Sequence, residues 1–258
     1  EEKEKVFDYN RARKSPFLLI AKPVWARVEQ LSTVCAFFCY NLFMKFIPFK
    51  IYTGKENMQM DSDLLDNSIA TKSQEPIFRL YGWSPKCISL GRNQLDNFLD
   101  YDFLKSENID VVRRITGGRA LLHDMEITYS FICPVSYLKN GESVTKSYIE
   151  ISQILIDFFK RFNIELDFGT SNPIHTKFNY CMLVSTGADL CYKGKKLIGS
   201  AQCRKQGYIL QHGSILYDYD VDLLTKIFGE KPDLTHFTSL KAINPDIFFM
   251  LQSLNEFW

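Results

Sequence analysis

The stretch Ala188-Asp-Leu-Cys-Tyr-Lys-Gly-Lys-Lys-Leu-Ile-Gly-Ser-Ala-Gln-Cys-Arg-Lys-Gln-Gly-Tyr-Ile-Leu-Gln-His-Gly-Ser-Ile-Leu216 decides the fold class. Ala188 to Tyr192, Lys195 to Ala201 and Tyr208 to Leu216 are short, largely apolar runs, and a Lys193-Gly194 turn separates the first two. The segment therefore reads as a meander of adjacent strands. Upstream, Ser143 to Phe162 is the clearest helix. Val144, Tyr148, Ile151, Ile154, Leu155, Phe158, Phe159 and Phe162 recur at three- and four-residue intervals beside Lys146, Glu150, Asp157 and Lys160, an apolar stripe suited to cover one face of a sheet. Further out, Asn57 to Ser68 and Phe98 to Glu107 read as helices. Ile77 to Tyr81, Cys87 to Leu90, Asp110 to Arg114 and Glu126 to Cys133 read as strands, and Val221 to Phe228 and Pro245 to Phe257 as closing helices. Together these elements predict an α+β fold, a mixed, largely antiparallel sheet packed with helices.

The chain has 258 residues, 46% hydrophobic and 24% charged, with a formal net charge of +1. Those figures exclude a disordered tail, a collagen-like fibre and a strongly basic nucleic-acid binder. A chain this long buries about 70% or more of its unfolded surface, so it needs no staples. Its seven cysteines include no Cys-x-x-Cys, which points to reduced thiols in a cytoplasm rather than to a disulfide framework or a zinc ribbon. The first residues differ from the rest: a charge-dense start precedes the apolar run Leu31 to Met44. That run is too short to span a bilayer comfortably, and it reads as a buried or interfacial helix in preference to a membrane contact. Residues 1–48 are taken as an N-terminal helical extension and residues 49–258 as the catalytic domain. The missing initiator Met is taken as the mark of a fragment.

Three places concentrate chemistry. Between two strands, Arg113-Arg114-Ile115-Thr116-Gly117-Gly118-Arg119-Ala120-Leu121-Leu122-His123-Asp124 joins three arginines, two adjacent glycines and a His-Asp pair. Such glycines let a ligand approach main-chain N–H groups, and the arginines would meet a phosphate or carboxylate. The same loop also reads as a tight turn with solvated arginines. The second place is the strand Lys196 to Gln202, whose Gly199-Ser200-Ala201 core sacrifices packing volume, followed by His212 and Gly213. It is a tunnel wall or a bulge. The third is Cys181, fifteen positions before Lys196, within reach if the intervening chain folds back; most free thiols are merely small hydrophobes.

The runs NMQMDSDLL, RLYGWSPKCISLG, RRITGGRALLHDMEITYS and GKKLIGSAQCRKQGYILQHGSI together resemble the biotin/lipoate protein ligase catalytic domain. Within that family they are most similar to the Cys-dependent octanoyl-[acyl-carrier-protein]:protein N-octanoyltransferases of the Gram-positive type. The resemblance covers about Asn57 to Asp220 and implies the class II synthetase-like fold. It puts Cys181 at the acyl-accepting cysteine and Lys196 at the lysine that contacts the acyl carbonyl. Arg113, Arg114, Gly117, Gly118, His123 and Asp124 fall in the loop lining the acyl and carrier-arm site, and Gly199, Ser200, Ala201 and Gln202 on the strand beneath the acyl chain; Arg119, His212 and Gly213 are counted with them as substrate-binding.

What the resemblance implies is a two-step acyl transfer through a Cys181 thioester, with no cofactor, no metal and no ATP. The donor would be octanoyl-acyl carrier protein. The acceptor would be a lipoyl-domain protein, either a glycine cleavage H protein or a dehydrogenase E2 subunit. Arg119, Lys193, Lys195, Arg204 and Lys205 would greet these acidic partners. Rival readings are an ATP-dependent lipoate ligase, an amidotransferase between lipoyl proteins and an idle acyl-binding module. Arg119 in place of a third loop glycine, and an end at Trp258 too early for an accessory domain, count against the ligase.

Overall fold

The computed structural model describes residues 44–170, 180–183 and 186–247. The apolar run Leu31 to Met44, apart from Met44 itself, and most of the expected helix Pro245 to Phe257 lie outside them. Among the described residues the strands form two sheets. The larger has the order β1-β2-β6-β10-β9-β8-β7, and the smaller the order β4-β3-β5. Its strands are β1 (Lys45–Tyr52), β2 (Ile77–Trp83), β6 (Glu126–Pro134), β7 (Asp167–Phe168), β8 (Leu190–Tyr192), β9 (Lys195–Lys205) and β10 (Tyr208–Leu216). The smaller sheet contains β3 (Cys87–Leu90), β4 (Asp110–Arg113) and β5 (Leu121–His123). Only β1 with β2 and β3 with β4 run parallel among the paired strands. This is the expected mixed, largely antiparallel α+β architecture.

The meander forms because its turns are cheap. Lys193 and Gly194, and again Gln206 and Gly207, take positive φ, the geometry that lets a two-residue connection follow the twist of the flanking strands. β9 is longer than expected, continuing to Lys205, since register with β10 is maintained from Ile198 to Lys205. β1 starts at Lys45, ahead of the expected boundary at residue 48/49, and pairs with β2. Pro48 lies within β1, in the register shift between Ile47 and Lys50, where a missing N–H breaks no ladder bond.

Helices cover both faces of the large sheet. The helix α1 (Gly54–Thr71) begins earlier than its apolar pattern because Thr53 and Glu56 form a capping box, worth about 1 kcal/mol. α2 (Tyr101–Ser106) and α4 (Val221–Phe228) pack with the small sheet around Ile88, Leu104, Leu122 and Leu224. α3 (Val144–Lys160) buries Ile151, Leu155, Phe158 and Phe159 against Tyr129, Phe131, Ile198 and Ile209 of the large sheet. Each such side chain contributes about 1.5–3 kcal/mol of transfer free energy. A short α5 (Leu240–Ile243) follows. Among the described residues no helix is long and apolar enough to cross a membrane.

The interface between α1 and the sheet is polar at its centre. The Asp61 carboxylate is 1% exposed and accepts from Arg79, Tyr81 and Ser130, with His212 Nδ1 at 3.1 Å. Burial pushes this carboxyl up, but His212, Arg79 and Tyr81 together hold it below the ordinary carboxylate range. Removing any charged partner would strand a buried charge, at a cost of about 3–5 kcal/mol.

Candidate active site

Cys181 opens a one-turn 3-10 helix, Cys181–Leu183. Its backbone N–H donates to Ala120 O at 2.9 Å, and Tyr180 bridges Ala120. The cysteine is thereby fastened to the glycine-rich loop between β4 and β5. Lys196, on β9, approaches from the other side: Nζ lies 3.0 Å from Cys181 O and 3.9 Å from Cys181 Sγ. The hairpin of β8 and β9 produces this meeting, because it folds Lys196 back opposite Cys191.

The ammonium is 1% exposed and pairs with Asp189 Oδ2 at 3.1 Å. Asp189 in turn accepts from Thr186 N and Thr186 Oγ1. Burial by itself pushes the Lys196 ammonium down. The charges on Cys181 and Asp189 outweigh that penalty and hold it above the ordinary lysine range. A lysine that stays cationic beside a sulfur can stabilise a thiolate and polarise an acyl carbonyl delivered to it. Asp189 was not singled out from the sequence. The available signal was a carboxylate opening an otherwise apolar strand, a residue type that is almost never buried unless paired.

Gly199 makes the room. A Cβ there would lie 2.9 Å from Lys196 Cε, 3.3 Å from its Nζ and 3.5 Å from Met182 Sδ. Gly199→Ala is expected to shift the ammonium away from Cys181 without unfolding the protein, because the obstacle is the end of a flexible side chain. The check is a lowered rate of acyl transfer with a urea midpoint that falls less than that of Lys196→Met, which removes the cation outright.

Strand alternation divides the other expected residues. Gly199 and Ala201 come to share the face of Lys196 because the pairing with β8 skips one residue between Lys196 and Ile198, which reverses the alternation there. Ser200 and Gln202 lie on the opposite face, toward α3, where Ser200 Oγ meets Tyr129 OH at 2.8 Å and Gln202 accepts from Ser147. Gly213 also lies on that side, its Cβ position occupied by Gly199 O, Ser200 Oγ and Tyr129. His212 faces the other way and ties Thr116 Oγ1, at 2.7 Å, to Asp61. The loop is thereby hung on α1.

Within the loop, Gly118 has a φ of 97° and its carbonyl presses on Gly91, where a Cβ would come within 1.9 Å of that oxygen. A Cβ at Gly117 would meet nothing within 4 Å. Arg114 is buried and donates to Ser89 O, Ser89 Oγ, Gly117 O and Arg119 O. Its role in this geometry is to brace the loop. Arg113 donates to Gly91 O and Gln94 O, and Asp124 pairs with Lys86 at 2.8 Å. These contacts tie both residues to the framework of the small sheet and its flanking loops. His123 is 4% exposed and bonded at both nitrogens, to Ser89 and Glu126. The expected basic entrance is also largely engaged: Arg204 donates to Gly141 O and Ser147 Oγ, Lys205 pairs with Asp66, and Lys195 reaches Leu234 O.

Comparison with known proteins bears on the family and the fold. The Octanoyltransferase LipM of Macrococcus caseolyticus is 41% identical over 180 residues, that of Staphylococcus epidermidis 39% over 193 and that of Clostridioides difficile 38% over 202. These alignments cover 67%, 70% and 75% of this chain and 65%, 70% and 74% of the relatives, so the chain spans just under two thirds of the Macrococcus protein. Among solved structures, lipoate-protein ligase A bound with ATP superposes with a TM-score of 0.64 at 19% identity, covering 82% of each chain, a likeness of fold. Residues 53–247 match the lipoyl protein ligase A/B catalytic domain, and the chain belongs to that family.

Proposed function

We propose that the protein is an octanoyltransferase that carries the acyl group on Cys181. The observation that carries this reading is the buried Lys196 ammonium 3.9 Å from Cys181 Sγ, with Asp189 fixing its position. Similarity to relatives named Octanoyltransferase LipM supplies the acyl group. In the first step the Cys181 thiolate attacks the thioester carbonyl of octanoyl-acyl carrier protein; a new C–S bond forms, the old one breaks and the carrier's thiolate leaves. In the second step the ε-amine of a lysine on a lipoyl-accepting protein attacks the acyl-enzyme. A C–N bond forms, the Cys181 thiolate departs and the amine loses a proton. Lys196 stabilises the negative charge that develops on the carbonyl oxygen in both steps.

The test is incubation with octanoyl-carrier and no ATP, followed by intact-mass measurement. The expected result is one added octanoyl group, removed by hydroxylamine and passed on to an added lipoyl domain. Modification of the lipoyl domain only with free lipoate and ATP would replace the proposal with a ligase. Acylation of Cys181 only from an octanoylated lipoyl protein would replace it with an amidotransferase.

A further inference from the structure

One set of buried polar groups has no part in the chemistry above. Ser89 on β3, His123 on β5 and Glu126 on β6 are 1%, 4% and 6% exposed. Ser89 Oγ lies 2.7 Å from His123 Nε2, and His123 Nδ1 lies 3.0 Å from Glu126 Oε1. Trp83 stacks on the imidazole with ring centroids 3.8 Å apart, and its Nε1 donates to Thr128 Oγ1, which donates to Glu126 Oε1. These residue types make an acyl-transfer triad in other enzymes. Here, however, Ser89 is sealed in the small sheet and its Oγ accepts from Arg114 Nη1 at 3.0 Å.

That last bond orients the whole row. A guanidinium can only donate, so the Ser89 hydroxyl turns its hydrogen to His123 Nε2, and His123 Nδ1 donates to Glu126. Burial lowers the His123 imidazole, partly offset by Glu126, so it is neutral near neutral pH. The row thus runs from the Arg114 cation through two neutral groups to the Glu126 carboxylate. The second carboxylate oxygen, Oε2, is buried with no hydrogen-bond partner, a costly arrangement in a native interior. Arg114 meanwhile braces Gly117 O and Arg119 O, one residue from the Ala120 carbonyl that holds Cys181 N.

We propose that Glu126, His123 and Ser89 are positioning residues that hold Arg114, and through it the loop carrying Ala120, against Cys181. The Glu126 charge balances Arg114 at a distance, leaving the cation's field directed at the cysteine. Burial lowers the Arg114 guanidinium and a negative Cys181 raises it, in keeping with that direction. The charged and titratable groups facing Cys181 are Lys196 on β9, Asp189 ahead of β8, Arg114 in the loop, Tyr148 on α3 and the adjacent Tyr180. Those facing His123 are Glu126, Arg114 and His212. The inference rests on the reading of Cys181 as the acyl acceptor.

The experiment is iodoacetamide alkylation of Cys181 across pH in the full chain, resolved by peptide mass so that the other cysteines are counted separately. Ser89→Ala removes the acceptor that orients Arg114. It is expected to slow Cys181 alkylation at neutral pH about tenfold, the worth of one hydrogen bond to a charged group, and to move the profile to higher pH. Glu126→Gln keeps the shape and an acceptor for His123 but removes the negative charge, so it is expected to move the profile the opposite way. For acyl transfer, Ser89→Ala is expected to lower kcat with KM for the donor unchanged. Opposed shifts support the proposal, because general loosening of the core would move both variants alike; unchanged profiles, or shifts of one sign, overturn it. If Ser89→Ala does not fold, the Glu126→Gln profile decides, and a shift to higher pH or none overturns it. Opposed shifts in a protein that transfers no octanoyl group would leave the positioning row standing and remove only the octanoyl assignment.

Discussion

Cys181→Ala is expected to abolish both the hydroxylamine-labile acyl-enzyme and octanoylation of the lipoyl acceptor, a loss of about four orders of magnitude or more in rate. The reason is that, among the described residues, Cys181 is the thiol that meets the Lys196 ammonium. Lys196 is a permanent cation at 3.9 Å from the sulfur and cannot serve as the nucleophile while Asp189 and Cys181 hold it protonated. Cys181→Ser is expected to fail almost as completely, since a hydroxyl beside an ammonium lacks the base that would take its proton. Neither change should disturb the fold by more than about 0.5 kcal/mol, because Cys181 is only partly buried and its anchor to Ala120 is a backbone bond. Intact-mass spectrometry of each variant after exposure to octanoyl-carrier checks this. An adduct that persists in Cys181→Ala, on Cys191 or Cys203 for example, would move the nucleophile elsewhere.

Lys196→Met carries the second large effect, and it has two separable parts. Catalysis should fall about a hundredfold or more, the usual consequence of removing one donor from a developing oxyanion. Stability should also fall, by about 3–5 kcal/mol, because Asp189 is left buried without its cation. The bonds from Thr186 to Asp189 favour the lower end of that range. The double variant Lys196→Met with Asp189→Asn separates the two. Removing both charges is expected to restore most of the urea midpoint and none of the transfer rate. Recovery of activity along with stability would show that Lys196 acts only as a structural counter-ion.

Local order was largely legible in the chain. The apolar stripe of α3 and the two-residue turn at Lys193-Gly194 are written in adjacent residues, because three- to four-residue spacing and positive φ are local physical demands. The start of α1 was misjudged by its apolar pattern, although the Thr53-Gly-Lys-Glu56 capping box states it. Pro48 carries no such local statement. A proline stops a helix but sits harmlessly in a strand irregularity, and nothing local announces which of the two will form.

The site was legible only in part. Treating Gly199 to Gln202 as one wall ignored that a strand sends successive side chains to opposite faces: Ser200 and Gln202 face Tyr129 and Ser147, on the other side from Gly199. Treating Arg113 to Asp124 as one ligand loop likewise overlooked that Arg114 and His123 are consumed by Ser89, and Arg113 and Asp124 by other framework partners.

By itself the sequence determined the α+β class, the longer helices and most of the strands, the family, and the Cys181 and Lys196 pairing as a candidate. Tertiary structure alone decided that Asp189 completes that pair, that His212 joins Thr116 to Asp61 across 96 and 151 positions, and that Ser89 meets His123 across 34. The physical reason is that periodicity encodes which face of an element is apolar, whereas a buried polar contact forms only after strand register has brought distant residues together. Its partners then exist because burial forbids leaving them unpaired.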